Sequence, residues 1–277
     1  MSRSSIICGL AAAALLLSPA TQVLAGDEPV NPTTWPWALT RGLFSGGGDF
    51  LKGDEPDRPF DVAFRGVTML LEAGRVQVPG DFAFAVAFDD QLYPHYVDYS
   101  MGLVPSVRVG AASVGLLMQH TSRHIHDAPR PESVGWYRAG ARVSATATHD
   151  RWRLGGTIDA MQYPAQLRRY VDYDWEVAGA GRASRDISAR STYYVDATVR
   201  TVRCLPEVAG RNWVVGARVE GGMNLGFGLG RVDVFAGWDR RIDPTPFSRY
   251  VANFFVFGAR FMIARGFDPR TGVPRLQ

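Results

Sequence analysis

The chain has 277 residues, with 30 basic against 27 acidic side chains and a formal net charge of +3. So even a balance gives nucleic acid no footing as a partner. The only cysteines are Cys8 and Cys204, which excludes a cysteine-built zinc site and, once a leader carrying Cys8 is removed, an internal disulfide.

In chain order, residues 1–25 read as a secretory signal peptide. Arg3 supplies the positive start, "IICGLAAAALLL" the apolar stretch and "VLA" before Gly26 the small-residue cleavage site. Residues 26–57, rich in proline, glycine and acids, read as a periplasmic lead-in with a short interfacial helix at "WPWALTRGLF". No later stretch is apolar for long enough to make a transmembrane helix.

From 58 to 264 the hydropathy alternates with a period of two. "DFAFAVAFDD" sets Phe82, Phe84, Val86 and Phe88 on one face and alanines on the other. "RNWVVGARVE" sets Trp213, Val215, Ala217 and Val219 against Gly216, Arg218 and Glu220. "TYYVDATVR", "RVDVFAGWDR" and "VANFFVFGARF" repeat the pattern. A helical period would scatter these residues round the axis, so they predict long strands with one greasy face and one small or ionic face. About ten to twelve strands fit, centred near residues 65, 85, 112, 140, 156, 176, 197, 216, 234 and 257. The segments 95–105 and 170–180 fit either strand or connection.

Two architectures make such faces. A soluble sandwich or barrel turns the apolar face inward, whereas a membrane barrel turns it to lipid and lines its interior with polar groups. The export signal, the tilted-strand length and aromatics near strand ends (Tyr137, Trp152, Trp213, Trp238, Tyr250) favour the second. The expectation is an all-β, antiparallel transmembrane β-barrel of the outer membrane. It would be inserted by the outer-membrane assembly machinery and followed by a tail at 265–277. Phe261 stands as the aromatic of the final strand.

One segment carries chemistry. "VGLLMQHTSRHIHDAPRPES", residues 114–133, holds His120, Ser122, His124 and His126 at even spacing. They continue the face of Val114, Leu116 and Met118, which would look at lipid, so they belong at a strand end near the interface. Residues two apart on one face have Cα atoms roughly 6.5–7 Å apart, within rotamer reach of a histidine–serine hydrogen bond. Such a pair is the minimum for nucleophilic acyl transfer, with a carboxylate to orient the imidazole. Either His120 or His124 would serve as base to Ser122, and Asp127 and Glu132 are the nearest acids. The bland alternative is a polar strand end with no chemistry. A metal site is the third, disfavoured because ligands from one straight strand do not surround an ion.

Two family resemblances attach to these residues. "HTS" followed by a downstream glutamate resembles the His-x-Ser pattern of the outer-membrane lipid A 3-O-deacylases, which are eight-stranded barrels. That resemblance implies Ser122 as nucleophile, His120 as base and Glu132 as orienter. It departs at Arg123, and the chain is long for eight strands. "HTSRHIHD" is also similar to the His-x-Ser-Ser-His-Leu-Gly-Asp signature of an uncharacterised family of exported bacterial barrel-like proteins, matched at His120, Ser122, His124 and Asp127. This second resemblance implies fold and location, not activity.

The remaining charges, among them Arg200, Arg218, Arg231, Asp196, Asp233 and Glu220, predict an inward-facing ladder that satisfies itself, with a solute channel as the lesser reading. Neither a phosphate loop nor a dinucleotide fingerprint occurs, and no cofactor or metal is expected. The best sequence-level reading is a Ser122–His120 pair acting on an acyl ester of membrane lipid or lipopolysaccharide. A non-enzymatic structural or transport barrel is the alternative.

Overall fold

Alternation of greasy and ionic residues becomes a ring of strands. The structure, a computed structural model, describes residues 42–54, 59–125, 132–164, 171–188, 190–205, 212–227, 230–242, 251–265, 267–268 and 273–274. The expected signal segment 1–25, His126, Asp127 and Tyr250 lie outside the described residues. The strands are β1 (Gly42–Gly53), β2 (Phe60–Ala73), β3 (Val76–Phe88), β4 (Pro94–Leu103), β5 (Ser106–Val109), β6 (Ala112–Ile125) and β7 (Glu132–His149). They continue with β8 (Trp152–Gln162), β9 (Tyr173–Ser188), β10 (Ser191–Cys204), β11 (Trp213–Phe227), β12 (Gly230–Ile242) and β13 (Val251–Arg265). The tail adds the two-residue pair β14 (Phe267–Asp268) and β15 (Val273–Pro274).

Each strand of the sheet pairs antiparallel with its neighbours, β1 pairs with β13, and β2 with β3 closes the ring. Strands β4 and β5 are successive halves of one stave, both laid against β3 and β6 and separated at Val104–Pro105. The barrel therefore has twelve staves. Pro105 cannot donate to the ladder, which accounts for the break.

The two ends differ. At one end β2–β3, β5–β6, β7–β8, β9–β10 and β11–β12 are joined by two residues each. Gly74, Gly110 and Asp150 take positive φ in these turns (57°, 60° and 50°), as tight hairpins require. The other end carries the longer connections, including 126–131 and 163–172. In barrels of this kind short turns face the periplasm and long loops face outside.

Outward residues are apolar and exposed, among them Leu116, Val195, Val234 and Phe255 at 63%, 52%, 51% and 71%. Inward residues are charged and enclosed: Glu176, Glu220 and Asp233 are 2%, 3% and 0% exposed. That distribution inverts a soluble protein and suits hydrocarbon outside. Trp152 near the short-turn end and Trp175, Trp213 and Trp238 near the long-loop end form the two aromatic belts.

The interior is bonded to itself. Arg142 forks onto Asp159 with both nitrogens at 2.7 Å, and Arg123 onto Asp98 likewise. Arg218 on β11 reaches Asp49 on β1 at 2.6 Å, and Arg182 on β9 reaches Asp233 on β12 at 3.2 Å. Arg231 donates to Asn224 at 2.7 Å, Asp196 meets Arg182 at 3.4 Å, and Glu220 accepts from Arg218 at 2.7 Å. Toward the long-loop end the interior turns apolar, with Val134, Trp136, Tyr163, Val171, Tyr173 and Val202 packed together and Leu51 against Phe254 and Val256 nearby. Leu117, an apolar exception on the polar face, packs inside against Val104 and Met161.

The barrel is longer than the expected 58–264. Strand β1 lies within the stretch read as lead-in, and its Gly42–Phe44 start occupies the end of the expected interfacial helix. Its sequence "GLFSGGGDFLKG" hides the alternation because Gly46 and Gly48 stand at outward positions between Phe44 and Phe50. The rings of Phe64 and Phe60 cover these glycines, and a Cβ at Gly46 or Gly48 would meet them at 2.6 and 2.7 Å. The glycines are the seat of an aromatic surface, not a break in the strand. The two ambiguous segments both contain strand, β4 and β9.

Candidate active site

Strand β6 leaves the apolar belt at Met118 and ends in polar residues on the same outward face. Its neighbours there are β4 and β7. The register sets Met101 and Tyr137 beside His120, Tyr99 and Gly135 beside Ser122, and Val97 and Ser133 beside His124. Period-two geometry alone places the three polar side chains in a row, near the end that carries the long loops.

Ser122 Oγ lies 3.2 Å from His124 Nε2. If the hydroxyl donates, His124 must carry its own proton on Nδ1, leaving Nε2 as acceptor. The His124 ring meets Tyr99 edge to face with centroids 5.5 Å apart, which steadies it. Tyr99 in turn contacts Phe84 at 5.2 Å, and Phe84 contacts Phe64 at 6.3 Å. An aromatic row on the lipid face thus runs from β2 to the histidine.

His120 is not the serine's partner here. Its ring lies against Tyr137 with centroids 4.4 Å apart and 36° between planes. The hydrogen bond runs to the alternative base, His124, and not to the residue that the deacylase resemblance puts in that role. Local packing accounts for the difference: Tyr137 draws the His120 ring across toward β7, over Gly135.

Of the two acids, Glu132 is the first residue of β7, across from Ile125, and Asp127 lies outside the described residues. Among the described residues no group of three or more His, Cys, Asp or Glu could hold a metal ion. Arg123, between Ser122 and His124, turns inward to Asp98 and stacks 4.0 Å over the Tyr96 ring. It anchors the strand from inside while its neighbours face out.

Tyr99, Gly135 and Tyr137 complete the site across the ladders. Tyr137 was legible as a belt aromatic. Gly135 and Tyr99 become site residues only through register, which alternation within one strand does not reveal.

A closed ring of twelve antiparallel staves, apolar outside and ionic within, is an outer-membrane β-barrel. No protein-family model matches the chain, and no curated protein sequence matches it. Among solved structures, LpxR from Salmonella typhimurium aligns at a TM-score of 0.48 and 8% identity, covering 80% of this chain and 99% of that one. The β domain of the Bordetella autotransporter BrkA aligns at 0.48 and 9%, covering 81% and 99%. The outer membrane phospholipase A from Escherichia coli aligns at 0.46 and 10%, covering 86% and 94%. These are similarities of strand arrangement and say nothing of activity.

Proposed function

We propose that the protein is a serine-type acyl-ester hydrolase working on the membrane that surrounds it, with lipid A or a phospholipid of the outer leaflet as substrate. The observation that carries the proposal is the 3.2 Å contact between Ser122 Oγ and His124 Nε2 on the lipid-facing side of β6. A serine and a histidine in hydrogen-bond reach supply a nucleophile and its general base. An outward position near the long-loop end suits a site that meets ester groups at the membrane interface. A polar cluster on that face is costly near the midplane and tolerated only close to the interface. Asp127 would orient His124 through Nδ1, whereas the register sets Glu132 opposite Ile125, on the row of Arg123 and not of His124; no cofactor or metal is called for. The chain would reach this membrane through the envelope's barrel-assembly machinery.

In the proposed reaction Ser122 Oγ attacks the ester carbonyl carbon while its proton passes to His124 Nε2. The carbonyl π electrons move to oxygen. Collapse of the tetrahedral species breaks the ester C–O bond, and His124 returns the proton to the departing alkoxide. Water then releases the acyl group from Ser122 by the same sequence.

The test is fatty-acid release from vesicles containing lipid A or phospholipid by the refolded barrel, wild type beside Ser122→Ala. Release by the wild type and none by the variant supports the proposal. Equal release from both, or none from either, leaves a structural or transport barrel, whose self-bonded interior favours the structural form.

A further inference from the structure

A second histidine stands beside the nucleophile, and its ring lies against Tyr137. His120 lies two residues before Ser122 on the same outward face, and the serine is taken by His124. One face of the His120 ring rests on Tyr137, and its Cε1 lies 3.5 Å from where a Gly135 side chain would begin. Nδ1 is enclosed and has no hydrogen-bond partner among the described residues, whereas Nε2 is not enclosed.

Enclosed N–H groups without a partner are rarer in proteins than under-satisfied acceptors. The tautomer that puts the proton on Nε2 leaves only a lone pair on the enclosed Nδ1. In that tautomer Nε2–H is a donor on a ring held against Tyr137, about one strand repeat, roughly 6.5–7 Å in Cα spacing, from the Ser122 backbone. Across the ladder from Ser122 stands Gly135, which presents no side chain beside the His120 ring. A Cβ there would make only ordinary contacts, 3.5 Å to His120 Cε1 and 3.7 Å to the Thr121 carbonyl oxygen, so backbone packing does not demand the glycine.

We propose that His120 is the electrophile of this site: its Nε2–H donates to the ester carbonyl oxygen, seated over Gly135, and holds the oxyanion that forms when Ser122 attacks. This rests on the hydrolase proposal and assigns the two histidines different tasks, base for His124 and oxyanion donor for His120. A donor fixed where charge develops is worth more in the reacting state than in the ground state, so its loss lowers kcat more than it raises KM.

The experiment compares His120→Phe and His120→Gln with the wild type on phospholipid vesicles, each first shown to be folded by its heat-modifiable gel mobility. Phenylalanine keeps the ring against Tyr137 and removes the donor; glutamine restores an N–H. The expected result is a fall in kcat of roughly 100-fold for His120→Phe, with KM and the acid limb of the pH–rate profile unchanged. His120→Gln should recover at least about tenfold of that loss. Activity of His120→Phe equal to wild type overturns the assignment. So does loss of the acid limb with no recovery in His120→Gln, which would make His120 the base. No fatty-acid release by the wild type overturns the hydrolase proposal itself, and this inference with it.

Discussion

Ser122 and Gly135 face each other across the β6–β7 ladder, on the side of the barrel that meets lipid. A Cβ at 135 would meet His120 Cε1 at 3.5 Å and the Thr121 carbonyl oxygen at 3.7 Å, both ordinary contacts. Valine there should leave stability within about 1 kcal/mol, since strands accept it well. Acyl release should fall roughly 100-fold, because the ester would be held away from the attacking oxygen. Alanine should do less. Kinetics on vesicles, with unfolding in urea as the control, check both halves.

Glu176 accepts hydrogen bonds from Arg200 at 2.9 Å, from Arg138 Nη1 at 3.3 Å on each of its two carboxylate oxygens, and from the Tyr163 hydroxyl. It is 2% exposed, so its removal leaves two guanidinium groups enclosed without their shared counter-ion. Glu176→Ala should destabilise the barrel by about 3–5 kcal/mol, and Glu176→Gln by less because amide oxygen still accepts. Equilibrium unfolding in lipid vesicles measures this. A loss below about 1 kcal/mol for the alanine variant would show that the interior charges do not brace the ring.

Leu116 and His120 share the outward face of β6, one within the apolar belt and one at its margin. Arginine should be costly at the first position, about 2–4 kcal/mol, and nearly neutral at the second, about 0–1 kcal/mol. Unfolding of Leu116→Arg and His120→Arg in the same bilayer reads out this depth gradient. Equal costs would mean that the face does not cross from hydrocarbon to interface between these residues.

Much of the barrel was legible because each buried or lipid-facing residue had to alternate with its opposite. Phe82, Trp213, Val234 and Phe257 declare their strands in that way. Strand β1 was hidden for a physical reason: Gly46 and Gly48 occupy outward positions without a side chain to mark them, and the aromatic surface over them comes from β2. Strand β4 was ambiguous because Tyr96, Asp98 and Ser100 interleave with Val97, Tyr99 and Met101 without a clean contrast. At the site, even spacing put His120, Ser122 and His124 in one row. The choice between the two histidines was not in that spacing. It was made by Tyr137, which is 17 residues away along the chain and directly across the ladder.

The most direct measurement of the central claim is covalent labelling of the folded barrel by a long-chain alkyl fluorophosphonate, followed by peptide mapping. An activated serine on the lipid face should carry the adduct at Ser122 in the wild type. Labelling in His124→Ala should be slowed about 100-fold or more, since that variant lacks the base. An unlabelled Ser122, or labelling that proceeds equally well without His124, would contradict the assignment of this pair as nucleophile and base.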